Sequence, residues 1–309
     1  MAFGVMFHHF YDQTHPKGQG AISADDLERL IAKIGRDAIL PAQDWAERAR
    51  ANMLEPSDIC LTFDDALLCQ YDVARPVLEA YGLTAFWFVY SSVFEGNQEP
   101  LELYRYFRTT RYETVDAFYG DFFKRTVAEA SEAFAEAAAS FNADTYLAEF
   151  AFYTREDRFF RYLRDDVLGP DRYHAIMRGL MEDAGFDLAE AAQALWMTDA
   201  HLSQLHSDGH VIGLHSYSHP TRLAELSKDG QSEEYRRNFK HLAQILGEAP
   251  KTMSHPCNSY NSDTLDLLQE MGVTLGFRSN MAECADRSPL EFPREDHATL
   301  IANSAGTQA

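Results

Sequence analysis

The chain has 309 residues, of which 46% are hydrophobic and 24% charged, the balance of a folded globular protein with a sizeable core. Forty-eight Asp and Glu against 27 Lys and Arg leave a net charge of −21, a field that repels phosphates and excludes general nucleic-acid binding. Length alone allows two ordinary domains or one α/β barrel with an addition.

Residues 3–7, Phe-Gly-Val-Met-Phe, predict a short buried strand, and residues 23–34 a Ser-capped amphipathic helix. His8 and His9 break the N-terminal apolar run before it could serve as a signal core, and the longest apolar stretch, residues 83–90, is far short of the roughly 20 residues a membrane span needs. A cytoplasmic protein is therefore expected. Cys60, Cys69, Cys257 and Cys284 form no C-x-x-C pair and read as reduced thiols.

Residues 58–63 predict a second strand, followed by a helix over 67–81, a stop at Gly82 and a β-prone run over 84–90. Such strand–helix–strand units build parallel sheets whose chemistry gathers at the carboxyl ends of the strands. Between residues 96 and 197 the pattern changes: no convincing strand is present, and Ala- and Glu-rich stretches such as 127–139 favour helix. This stretch reads as a helical insertion. Alternation resumes with a strand at 210–214, helices at 233–246 and 262–271 and a strand at 273–277, and the residues after Ile301 read as a frayed tail.

Four segments place ionisable residues directly after an apolar run. In Leu61-Thr-Phe-Asp64-Asp65 two adjacent carboxylates point in different directions, so one can bind a cation while the other faces a substrate as a base; a helix cap is the plainer use of the same pair. In His215-Ser-Tyr-Ser-His219 two imidazoles four residues apart can reach one cation, and Asp65 would complete a three-ligand site with positions open to water. Met253-Ser-His255-Pro256-Cys257-Asn258-Ser-Tyr260-Asn is a strand-to-turn junction that could present backbone N–H groups. In Leu290-Glu-Phe-Pro293-Arg294 a buried Arg could orient a carboxylate, where a surface ion pair is the commoner fate.

Taken in this order, the segments resemble the polysaccharide deacetylase family, the carbohydrate esterases built on the NodB homology domain. Thr62-Phe-Asp64-Asp65 is similar to the family's T-F-D-D and His215-Ser-Tyr-Ser-His219 to its H-S-x-x-H. The resemblance implies a distorted (β/α)7 barrel, here made of residues 1–97 and 198–309, with 98–197 as the insertion, a lid or dimer interface. It implies Asp64 as general base and Asp65, His215 and His219 as ligands of a divalent metal, most naturally Zn²⁺. His8 closes the opening strand as the matching histidine and His9 stands beside it. Ser254–Asn261 corresponds to the family's third motif, in which His255 and Cys257 depart from the usual residues; the Cys257 N–H is the expected oxyanion donor, and His255, Asn258 and Tyr260 are expected to line the substrate. Arg294 falls in a late Pro-Arg element. No Leu-x-His acid motif is evident, which leaves His8, His9 or His297 to protonate the leaving group.

The implied activity is metal-dependent hydrolysis of a linear amide C–N bond, removing an N-acetyl group from an amino sugar or a nucleotide-sugar precursor; deformylation or cyclic-amide hydrolysis on the same scaffold and an inactive carbohydrate-binding barrel are the rivals. Within the insertion, Tyr104-Arg105-Tyr-Phe-Arg108-Thr-Thr-Arg111 and Arg158-Phe-Phe-Arg161-Tyr-Leu-Arg164 space arginines three apart with aromatics between. Such residues clamp a phosphate or carboxylate, or pair with acids along a helix face.

Overall fold

A computed structural model describes residues 1–147, 153–284 and 288–305. The chain folds as two compact units, Met1–Glu99 with Ala192–Ala309, and Pro100–Ala191. Residues 192–197 fold with the first unit, where the Met197 N–H donates to the Ala66 carbonyl and the Trp196 indole donates to the Tyr90 hydroxyl.

In the first unit seven strands pair in parallel: β1 Phe3–Phe7, β2 Ile59–Asp64, β3 Phe86–Val89, β4 Val211–Leu214, β5 Thr252–Ser254, β6 Leu275–Phe277 and β7 Arg294–Asp296. Their order is β6-β5-β4-β3-β2-β1-β7, and a parallel bridge from Phe277 to Phe292, just ahead of β7, brings the two edges together into a nearly closed barrel. The strands are short and apolar on both faces because one face meets helices and the other the barrel interior. Val5, Phe7, Leu61, Phe63 and Trp87 pack outward in the larger core, while Cys60, Phe86, Phe88 and Phe277 pack with Trp45 and Phe292 in a second cluster. The interior is tight enough to require glycine. A Cβ on Gly213 would stand 2.5 Å from Thr252 Oγ1 and 2.7 Å from Phe88 Cδ1, and one on Gly4 would stand 3.0 Å from Thr62 Cγ2 and 3.2 Å from Arg294 Cγ.

Helix Ala24–Ile34 starts at the Ser23 cap, whose side chain and that of Asp26 close a capping box. The helix expected over 67–81 is a π-helical stretch, Gln70–Ala74, that runs into an α-helix, Arg75–Ala80. Pro76 has no N–H to offer the carbonyl four residues back, and the turn before it widens. Helix Lys228–Leu246 begins five residues ahead of the expected 233, at a Ser227 cap, because its first turn is polar and lacks an apolar period. Helix His297–Ala305 carries the chain past Ile301, where a frayed tail was expected; residues 306–309 lie outside the described ones.

In the second unit every regular element among the described residues is a helix, and the unit has a core of its own. Helices Pro100–Arg111, Val115–Glu129, Arg155–Tyr162 and Gly169–Asp183 pack around Phe107, Phe118, Phe122, Phe160, Leu163 and Met177. Residues spaced three or four apart on these helices are aromatic, which adds edge-to-face stacking to the aliphatic part of the core, as for Phe160 with Phe118 and Phe122 at 5.5 and 4.9 Å.

Candidate active site

Four strand ends build the site. β2 ends on Asp64 and delivers Asp65, β4 delivers His215, β1 delivers His8, and β7 opens with Arg294. The carboxyl ends of β1, β2 and β4 lie at one level, so side chains distant in sequence meet there, and Arg294, level with Gly4, reaches them from within the barrel.

Asp64 is buried and clamped from within the barrel. The Arg294 Nη1 and Nη2 donate to its two carboxylate oxygens at 2.6 and 2.7 Å, Arg294 Nε donates to the Arg278 carbonyl at 2.8 Å, and Arg294 itself is only 1% exposed. Burial pushes the Asp64 carboxyl upward, but Arg294, His215 and His8 outweigh it and hold it below the usual range. The surface ion pair expected of an ordinary Arg294 is instead a bidentate pair in the barrel interior.

Asp65 turns the other way because its backbone takes φ 78°, left-handed for a residue with a side chain. Its Oδ1 lies 3.5 Å from His215 Nε2 and 3.4 Å from His219 Nε2, is buried and receives no hydrogen bond. His215 Nδ1 is 3.0 Å from the Ser254 carbonyl oxygen, which can only accept, so Nδ1 carries the proton and the Nε2 lone pair faces Asp65. Lone pairs of a carboxylate and an imidazole pointing at one buried centre require a positive charge between them. The donors of Asp65, His215 and His219 lie within 4.8 Å of one another, and one carboxylate with two imidazoles is a donor set suited to Zn²⁺. The residues therefore fit the implied metal. Burial opposes charge on both Asp65 and His215; the neighbouring histidines nevertheless hold Asp65 far below its usual range, and Asp64 and Asp65 raise His215.

Backbone strain is concentrated here. Asp65, Ala66, Ser216, His219, Cys257 and Asn258 all have positive φ without being glycine, and they sit in three loops that follow β2, β4 and β5.

His8 lies with Nε2 4.0 Å from Asp64 Oδ2 and its side chain 31% exposed; desolvation lowers its pKa against the pull of Asp65 and Asp64. His9 stacks beside it with ring centroids 6.3 Å apart. Cys257 is exposed. Asn258 accepts the Ser279 N–H through Oδ1 at 3.0 Å. His255 is buried: its Nε2 donates to the Leu290 carbonyl at 2.9 Å, and burial lowers its pKa to about 3. Tyr260 stacks on it at 4.0 Å and donates to Glu291 Oε1 at 2.8 Å, so this pair braces the β5 loop. His297 is buried with its ring nitrogens 3.2 Å from the Met6 and Gly20 carbonyls. Arg161 belongs to the helical unit.

Residues without a motif hold these in place. Gln70 Nε2 donates to the His8 and Asp64 carbonyls at 2.7 and 2.6 Å, tying the ends of β1 and β2 together. Asn238 accepts the His215 N–H at 3.0 Å and donates to the Val89 carbonyl at 2.8 Å. Glu234 accepts the Tyr217 and Ser218 N–H groups at 3.0 and 2.8 Å, shaping the loop between the two histidines. A polar residue on the buried face of an otherwise amphipathic helix is the sequence signal for Asn238; Gln70 leaves none.

The polysaccharide deacetylase family model matches residues 181–276, a stretch that contains His215 and His219 and stops short of Asp64 and Asp65. Members of that family are hydrolases of amide C–N bonds, the enzyme class expected from the motifs. Among solved structures, a Streptococcus pyogenes deacetylase, PplD, in complex with acetate aligns at TM-score 0.56 and 15% identity over 97% of this chain and 96% of its own. IcaB from Ammonifex degensii aligns at 0.56 and 15% over 100% and 97%, and the BpsB deacetylase domain from Bordetella bronchiseptica at 0.52 and 15% over 95% of each. At such identities the likeness is one of fold. No curated protein matches the chain by sequence.

Proposed function

We propose that the chain is a metal-dependent hydrolase that removes the N-acetyl group from an amino sugar. The observation that carries the reading is the buried, unpartnered Asp65 Oδ1 facing two imidazoles, with Asp64 beside it on the same strand end. A divalent cation held by Asp65, His215 and His219, with zinc best suited to the donors, would supply Lewis-acid polarisation of the acyl carbonyl and a lowered pKa for water at the site.

Asp64 takes the proton of the attacking water as its oxygen bonds to the acyl carbon. Arg294 keeps Asp64 ionised and fixes the direction of its oxygens. The backbone N–H of Cys257 receives the developing oxyanion, and loss of such a donor typically costs about 10²-fold. His8 gives a proton to the departing nitrogen as the C–N bond breaks, leaving acetate and a free amine. Its lowered pKa makes its imidazolium a ready donor, and its 4.0 Å separation from Asp64 lets it be recharged by the proton that Asp64 has just accepted.

The test is a product screen of purified enzyme against N-acetyl, N-formyl and cyclic amides of amino sugars, with and without chelator. Acetate release that chelation abolishes and Zn²⁺ restores is expected. Formate release without acetate, or turnover indifferent to chelation, would overturn the reading.

A further inference from the structure

The arginines of the helical unit meet different fates. Arg164 is held bidentately by Asp165, with Nε–Oδ1 2.6 Å and Nη2–Oδ2 2.8 Å, and Arg158 Nη1 donates to the Ala143 carbonyl at 2.6 Å. Arg108 and Arg161 have no such partner: among the described residues no carboxylate lies within ion-pair distance of either, and Arg161 Nε is buried without an acceptor. The shortage is not one of acids, since the chain carries 48 of them. Asp157, one turn from Arg161, is occupied by the Thr154 N–H and hydroxyl and by the Tyr119 hydroxyl.

The two guanidiniums are instead laid on aromatic rings. Arg108 Cζ is 5.5 Å from the Phe118 centroid and 5.7 Å from that of Phe160; Arg164 Cζ is 5.8 Å from the same Phe160 ring; Arg161 Cζ is 4.1 Å from the Tyr153 ring. An aromatic face attracts a cation but does not satisfy five N–H donors. Burial lowers the pKa of Arg108, and the charges of Arg105 and Arg161 act in the same direction. Arg108 and Arg161 feel each other's charge, are partly desolvated and, among the described residues, have no carboxylate, which leaves their donors for an anion from outside.

We propose that Arg108 and Arg161, with Arg164 at the edge, form an oxyanion site in the helical unit that takes a phosphate group. A carboxylate has two oxygens, which one guanidinium fork occupies; a phosphate presents oxygens enough for two forks at once. The proposal goes beyond amide hydrolysis and does not rest on it. The group is inorganic phosphate itself or the phosphate ester of a sugar.

Calorimetric titration of the full-length Asp65→Asn chain at fixed ionic strength tests it, the substitution removing anion binding through a metal in the barrel. Saturable binding of inorganic phosphate is expected, weakened about tenfold or more by Arg108→Gln or Arg161→Gln and less by Arg164→Gln. Thermal melting is the second readout: phosphate raises the Tm, whereas Arg161→Gln raises the Tm without phosphate, by relieving repulsion, and abolishes the phosphate-dependent rise. Arg161→Lys keeps the charge, loses the fork and binds more weakly than the parent. Glucosamine 6-phosphate binding more tightly than inorganic phosphate assigns the site to an ester; equal or weaker binding assigns it to the free anion. Absence of saturable phosphate binding, or folded glutamine variants that bind as the parent does, overturns the proposal.

Discussion

The two units use buried charge in opposite ways. In the barrel the buried ionisable groups at the strand ends are set against one another: Arg294 pairs with Asp64, and Asp65 faces the imidazoles of His215 and His219, a donor set suited to a cation. In the helical unit the buried framework is aromatic, and Arg108 and Arg161 rest on rings instead of acids. Backbone strain divides the same way: of the eight non-glycine positive-φ residues among the described ones, six lie in loops of the barrel site and one, Leu147, in the helical unit. Strain and buried charge are tolerated where surrounding strands over-determine the geometry; helices, which satisfy their own backbones, leave only side chains to make a site.

The comparison can be broken at several points. The largest effect is expected at Asp64: Asp64→Asn should lower kcat/KM about 10³-fold while metal content, measured by elemental analysis, stays stoichiometric. A loss of metal with the activity would move Asp64 from base to ligand. Next is Arg294→Met, which leaves the Asp64 carboxylate buried without its partner. Chemical denaturation should show a loss of about 4 kcal/mol, and a fully stable variant would mean that the pair contributes orientation alone.

A third prediction concerns pH. His210 Nδ1 accepts the Ala85 N–H at 3.0 Å, and burial lowers its pKa to about 4 from the ordinary 6.5. The depressed folded-state value means its contribution is complete above pH 6.5 and is lost as pH falls toward 4, about 3 kcal/mol in all. His210→Asn offers an acceptor without a proton to gain, so its stability should fall less between pH 6.5 and 4 than that of the parent. Parallel curves would remove His210 from the acid limb. The smallest effect is expected at Ser254, whose hydroxyl lies 2.7 Å from His215 Nδ1 while its carbonyl lies 3.0 Å away. Ser254→Ala keeps the carbonyl, so metal affinity measured by competition with a chelator should drop about tenfold at most.

Much of the barrel was legible because a parallel strand flanked on both faces writes a continuous apolar run. Residues 3–7 appear unchanged as β1, and the runs at 58–63 and 210–214 appear within a residue as β2 and β4. β7 was not legible: Arg-Glu-Asp reads as a charged loop, and only the interior position of Arg294, opposite Asp64, makes a strand of it. Helix Ala42–Arg50 was missed as well, because three buried residues, Ala42, Trp45 and Ala46, are too few to mark a period. At the site, Asp64, Asp65, His215 and His219 announce themselves by residue type and spacing. Ser254 acts through its own backbone carbonyl, and Gln70 donates its side-chain amide to the carbonyls of His8 and Asp64; carbonyls are partners that every residue has, so neither contact leaves a mark in the sequence. His255 and Tyr260 had the right types for substrate contact, but the fold buries one and engages the other with Glu291.

The sequence by itself therefore determined the parallel α/β class, the helical character of the middle hundred residues and the chemical types gathered at the strand ends, because apolar periodicity and donor chemistry are local properties. The tertiary structure alone decided which charges meet. Arg294 is 230 residues from Asp64, and nothing local distinguishes it from Arg161, yet barrel closure gives the first a carboxylate and helix packing leaves the second without one among the described residues. Pairing of buried charge depends on distances between elements that no stretch of sequence contains.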